Sequence, residues 1–137
     1  DSIGTPVTSL QIPRSEGGGA ASSPTGGFYW GPSVSRNTYL QCWVMLMARA
    51  TGPSWKGSAI YISFNKNPDM GAADAAQQWS APQLLLDKPG HIIWYPSLQP
   101  VNNAGTRHTS LHLGQKARLF FKDMEAEKSD YLIEFNQ

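Results

Sequence analysis

Apolar and polar positions along this chain alternate in short runs, and only one stretch carries the three-to-four spacing of a helix, for about a turn. Residues 6–12 (PVTSLQI) alternate as a half-buried strand does. Residues 28–34 and 39–49 read as two further strands parted by the polar break Ser35-Arg36-Asn37-Thr38, and the second is almost continuously apolar, as a strand covered on both faces should be. A turn-rich connection over 51–57 leads to a strand at 58–65, and Trp79-Ser80-Ala81-Pro82 introduces another at 83–87. A second series follows at 92–98, 117–122 and 131–136. The helical turn is predicted within 68–78, from Gly71-Ala72-Ala73-Asp74-Ala75-Ala76, and the Gly-, Ser- and Pro-rich stretch 14–27 reads as a loop.

The two series echo one another. SAIYISFN at 58–65 returns as SDYLIEFN at 129–136, 71 residues on, and Trp30-Gly31-Pro32-Ser33-Val34 returns as Trp94-Tyr95-Pro96-Ser97-Leu98, 64 residues on. Strand-built repeats with growing loops are the signature of propeller blades. The expected fold is therefore all-β, two antiparallel four-stranded propeller-type blades. Residues 1–27 supply an N-terminal strand and a Gly/Ser-rich loop, 28–91 the first blade, and 92–137 a second whose fourth strand comes from the N-terminus or from a partner. Two blades cannot close a ring, and each needs cover for its apolar faces, so further blades or copies of the same chain are expected as partners.

Length and composition narrow the function without choosing it. A chain of 137 residues has room for one core. Its 40% hydrophobic and 15% charged content, with net charge +1, describes a globular domain rich in aromatics. Eleven Lys and Arg residues are scattered rather than massed, so no nucleic-acid footprint is present, and no apolar run approaches the roughly 20 residues needed to span a bilayer. Cys42 is the only cysteine and lies in an apolar run, where a buried, inert thiol is expected. A start at Asp1, without Met, points to processing or truncation.

Taken in order, Tyr29-Trp30-Gly31-Pro32-Ser33, Asn37-Thr38-Tyr39-Leu40, Ile60-Tyr61-Ile62-Ser63-Phe64, Trp79-Ser80-Ala81-Pro82 and Trp94-Tyr95-Pro96-Ser97 resemble the last two blades of five-bladed β-propeller proteins of the glycoside-hydrolase type, the arabinanase and β-xylosidase superfamily. The likeness covers about 28–136. Sialidase-like propellers share such strand-and-Trp patterns, but their Asp-box is not intact here, because an insertion follows Asn65-Lys66-Asn67. The resemblance implies a carbohydrate partner, no cofactor, a secreted or extracytoplasmic setting, and catalytic carboxylates on earlier blades that this chain lacks, so no catalytic residue is assigned. It also implies that the first strand of each blade lines a central channel and that the following loop reaches the substrate. By that logic the candidate contacts are Trp30, Ser33, Arg36 and Asn37 in the first unit and Trp94, Tyr95, Ser97 and Gln99 in the second.

Sugar recognition needs flat aromatic faces and planar polar groups. Tyr29, Trp30, Trp94 and Tyr95 offer the first, and Arg36, Asn37, Gln99 and Asn102 the second. A large ring at one position per unit is also what packing between blades requires, and that reading stays open. Trp43 belongs to the core by its apolar surroundings, whereas Trp55, between Ser54 and Lys56, is the best isolated candidate for an exposed ring. Glycoside hydrolysis requires two carboxyl groups about 5 to 10 Å apart. None of the ten acidic residues falls in the first strand of a unit, and Glu125, Glu127 and Asp130 with Lys122 and Lys128 read as a solvated hairpin turn. His108 and His112 are four apart, with His91 as a third imidazole, but Asn102 to Arg107 are turn formers, so a polar loop is the better reading than a metal site. If that loop overhangs the channel, Arg107 and His108 join the candidate contacts.

Overall fold

Alternation becomes two meandering sheets. The computed structural model describes residues 28–51, 54–70, 72, 74–75, 78–101, 109–126 and 130–137. The first sheet is formed by β1 (Phe28–Asn37), β2 (Cys42–Thr51), β3 (Lys56–Asn65) and β4 (Gln83–Asp87), in that order and all antiparallel. The second is formed by β5 (Ile93–Pro100), β6 (Lys116–Asp123) and β7 (Asp130–Glu134). The described residues are thus all-β, in sheets of four and three strands. The strand expected at 6–12 to complete the second sheet lies outside the described residues, as do Asn102, Arg107 and His108. Of the helical turn expected within 68–78, the described residues carry a succession of tight turns, with Ala75 N–H donating to Ala72 O and Gln78 N–H to Ala75 O.

The polar break at 35–38 starts one turn later than the residue types suggest. Ser35, Arg36 and Asn37 continue β1, paired with Val44, Trp43 and Cys42. Asn37 then ends the strand: its Oδ1 accepts the N–H groups of Tyr39 and Leu40 at 2.9 and 2.8 Å, an Asx turn that lets Gln41 take a left-handed φ of 55°. The same strand end is stitched to the second unit, where Thr38 N–H donates to Leu113 O at 2.7 Å and Leu113 N–H to Arg36 O at 3.0 Å.

The main core lies between the sheets. Cys42, Val44, Leu46, Ile60 and Ile62 meet Ile93, Leu98, Leu113, Ala117, Leu119, Phe121 and Phe135. Burial pushes the Cys42 thiol up, against the lowering pull of Arg36 and Lys66. A second cluster, Met45, Met47, Tyr61 and Trp79, covers the other face of the first sheet. The connection to β4 is pinned over that face by Asn65 Nδ2 donating to Ala75 O at 2.7 Å and Ser63 Oγ to Ser80 O at 2.6 Å.

One echo holds in three dimensions and the other does not. In β1 the pairing with β2 slips between Trp30 and Ser33, and in β5 the pairing with β6 slips between Trp94 and Ser97; each is a one-residue bulge at the same place in the repeat. Gly31 and Tyr95, equivalent residues within the bulges, have φ of 58° and 55°. By contrast, the ladders align Ser35, Val44 and Phe64 with Gln99, Arg118 and Leu132. Phe64 is therefore equivalent by pairing to Leu132, 68 residues on, not to Phe135 at 71. An odd slip swaps the faces of a strand. Phe64 and Phe135 accordingly meet across the shared core, ring centroids 6.5 Å apart, instead of occupying matching places.

The surviving echo fixes how the sheets stack. Trp30 shares its face with Ala48, Leu46 and Val44, which is buried against the second sheet, whereas Trp94 shares its face with Lys122, Phe120 and Arg118, which is exposed. Front packs on back, as in a repeating stack, and not front on front as in a sandwich of mirror-related sheets.

Candidate functional site

Both bulges point to the same spot. At the starts of β1 and β5 the ring of Trp30 meets those of Trp94 at 5.7 Å and Tyr95 at 5.3 Å, all edge to face. A fourth ring arrives from the β2–β3 turn: Trp55 lies 5.4 Å from Trp30 and 4.8 Å from Phe28, and its carbonyl accepts the Trp94 indole N–H at 3.0 Å. The turn reaches that position because β3 bulges at Gly57. A Cβ there would stand 1.7 Å from the carbonyl oxygen of Arg49, so only glycine allows the two strands to approach.

Exposure within this cluster is uneven. Trp30 and Trp94 are half-buried, while Tyr95 is 61% and Trp55 48% exposed. The two exposed rings are also carried on left-handed backbone, with φ of 55° at Tyr95 and 56° at Trp55. That conformation costs a non-glycine residue about 1–2 kcal/mol. The Trp30 indole N–H is buried and has no acceptor among the described residues.

The remaining candidates lie elsewhere. Ser33 leaves the bulge opposite Leu46. Arg36 projects to the other face of the first sheet, its guanidinium carbon 5.5 Å from the Trp43 ring centroid. Asn37 is fully buried and its amide is engaged: besides the turn it caps, Nδ2 donates to Gly114 O at 3.3 Å. Ser97 and Gln99 follow the bulge of β5, opposite Phe120 and Arg118. Of the eight candidates, then, Trp30, Trp94 and Tyr95 come together, joined by Phe28 and Trp55. They gather at the starts of the first strands, at the far end from the following loops that the resemblance expects to reach a substrate. Tyr29 faces the other side, 5.2 Å from the ring of Tyr61.

A buried charge cluster near the start of β5 escaped the residue pattern. Asp123, at the end of β6, is fully buried and accepts from the Lys88 ammonium, from the Glu125 N–H at 3.0 Å and from His91 Nδ1 at 3.0 Å. Burial works against its charge, yet Lys88, the Glu125 N–H and His91 together hold the carboxyl well below the usual carboxylate range. Lys88 is raised in turn by the hydrogen bond to Asp123. His91 is thereby occupied by a carboxylate, and His112 Nδ1 lies 3.2 Å from the Thr109 hydroxyl. Among the described residues no three His, Cys, Asp or Glu side chains converge to hold a metal ion.

Comparison with family models, curated proteins and solved structures finds no match to this chain.

Proposed function

We propose that this chain is a carbohydrate-contacting component of propeller-type architecture, and that its sugar platform is the ring group Trp30, Trp55, Trp94 and Tyr95. The observation that carries this reading is the strained, exposed placement of two aromatic side chains. At the equivalent bulge in β1 the left-handed residue is Gly31, the residue type that adopts this backbone freely. At Tyr95 the same conformation carries a large ring that is mostly in solvent. Strain retained on an exposed aromatic is characteristic of a site whose side chain is wanted for something other than packing. Flat, half-exposed rings suit the C–H faces of a pyranose or furanose.

The propeller part of the proposal is supported by the matching bulges, the meander order within each sheet and the front-to-back stacking. Against unbroken repetition stands the open face of the second sheet. Where the first sheet presents Cys42, Val44, Leu46 and Ala48, the second presents Lys116, Arg118, Phe120 and Lys122. A charged outer face is what the terminal unit of a stack carries, so the chain fits the end of a propeller-type array better than an interchangeable unit of a ring.

Intrinsic tryptophan fluorescence titrated with arabino-, xylo- and gluco-oligosaccharides tests the sugar reading. A saturable change is expected in the wild type and its loss in Tyr95→Gly. No change with any sugar, or an undiminished change in the variant, would contradict it.

A further inference from the structure

From the charge that borders the rings we infer that the saccharide is anionic, bearing a carboxylate or a sulfate, an inference that rests on the sugar reading and adds a substrate class to it. One exposed lysine borders the platform. Lys122 is the cross-strand neighbour of Trp94 on the exposed face of the second sheet, whereas Lys56, although it follows Trp55, stands opposite Thr51 on the Arg49 face of the first sheet, away from Trp30. Cross-strand neighbours lie within about 5.5 Å at Cβ, within reach of a ligand resting on the ring. Neither lysine takes part in an ion pair with a described residue.

Several other charges in the region face a partner or a neighbour of opposite sign. Along β6, Arg118 is paired with Asp130 at 2.9 Å and Lys116 stands opposite Glu134, so Lys122 is the cation of that row whose neighbour is a ring rather than an acid. Among the acids, Asp123 is paired from within with the Lys88 ammonium and held by His91 Nδ1, and Asp87 accepts the Ser58 hydroxyl at 2.6 Å. Glu125, in the turn after β6, is the exposed acid closest in sequence to Lys122. The platform therefore offers hydrophobic ring faces bordered by the Lys122 ammonium group, complementary to a sugar ring with a negative substituent.

The test compares oligogalacturonides as free acids with their methyl esters, which keep the ring and remove the charge, and adds a sulfated oligosaccharide of similar length. Binding is followed by tryptophan fluorescence at low ionic strength. The free acid is expected to bind about three-fold more tightly than the ester, Lys122→Gln to erase that preference while still binding the ester, and Lys56→Gln to leave it intact. Raising salt from about 20 to about 200 mM should shrink the preference in the wild type. Tighter binding of the sulfated ligand than of the uronate would assign the anion to sulfate and sustain the inference. Equal binding of acid and ester, or a preference that survives Lys122→Gln, overturns the anionic assignment and leaves the sugar reading standing. Failure of every saccharide to bind overturns both.

Discussion

Tyr95 holds its ring in place at the expense of its backbone, and the two contributions separate by substitution. Tyr95→Ala removes the ring and keeps the strain, whereas Tyr95→Gly removes both. Tyr95→Gly should be the more stable of the two by about 1 kcal/mol in chemical denaturation, although glycine normally destabilises a strand relative to alanine. An alanine variant as stable as the glycine variant would show that the bulge is unstrained. At Asp123 the relevant term is charge. Its folded pKa lies below the unfolded value of about 3.9, so the stability it supplies is fully present above that value and is lost as pH falls through the folded pKa. Asp123→Asn should cost about 2–3 kcal/mol at neutral pH, from the loss of charge-assisted hydrogen bonds. The gap from wild type should narrow below about pH 4, where the carboxylate of the unfolded chain takes up its proton while the native one does not. A gap that widens in acid would mean that the carboxylate is not held by Lys88.

Among the elements, the β2–β3 hairpin places a ring of the platform, and its geometry depends on Gly57. Gly57→Ala should cost about 3 kcal/mol or more, because the added methyl meets backbone rather than a flexible side chain. It should also weaken sugar binding, since the Trp55 turn must shift. Much of this level could be read in the residues alone: the order of the strands from Phe28 onward, the limits of β4 and the matching Trp-x-Pro-Ser segments follow from alternation and turn chemistry. Register could not. Whether 58–65 and 129–136 occupy matching places depends on which residues pair across β2 and β6, and the ladder differs from the echo by three residues. The bulges were illegible for the same reason, and with them the left-handed Tyr95. Of the site, the aromatic residue types were legible and their convergence was not. Trp55 joins Trp30 only through the Gly57 bulge, and Arg36 and Asn37 part from Trp30 because a strand alternates its faces and its two ends lie far apart. Asp123, written in a run of hairpin charges, becomes a buried anchor only when Lys88 and His91 fold over it.

For the molecule as a whole, the front-to-back stacking makes equivalent positions unequal. Leu46 and Phe120 correspond in the repeat, but Leu46 is sealed between the sheets and Phe120 is 40% exposed. Leu46→Ala should cost about 3 kcal/mol and Phe120→Ala less than about 1 kcal/mol, as expected for a buried and a surface-facing apolar residue. Comparable losses at both positions would mean that the face of the second sheet is covered in solution. The reading that joins these scales is that the rings at the two bulges form a ligand platform, and indole resonances report on it directly, because all five tryptophans fall in distinguishable surroundings. On titrating an oligosaccharide into labelled protein, the Nε1–H signals of Trp30, Trp55 and Trp94 should move together while those of Trp43 and Trp79, on the other side of the first sheet, stay still. Stationary signals at Trp55 and Trp94 under every sugar, or shifts confined to Trp43 and Trp79, would contradict it.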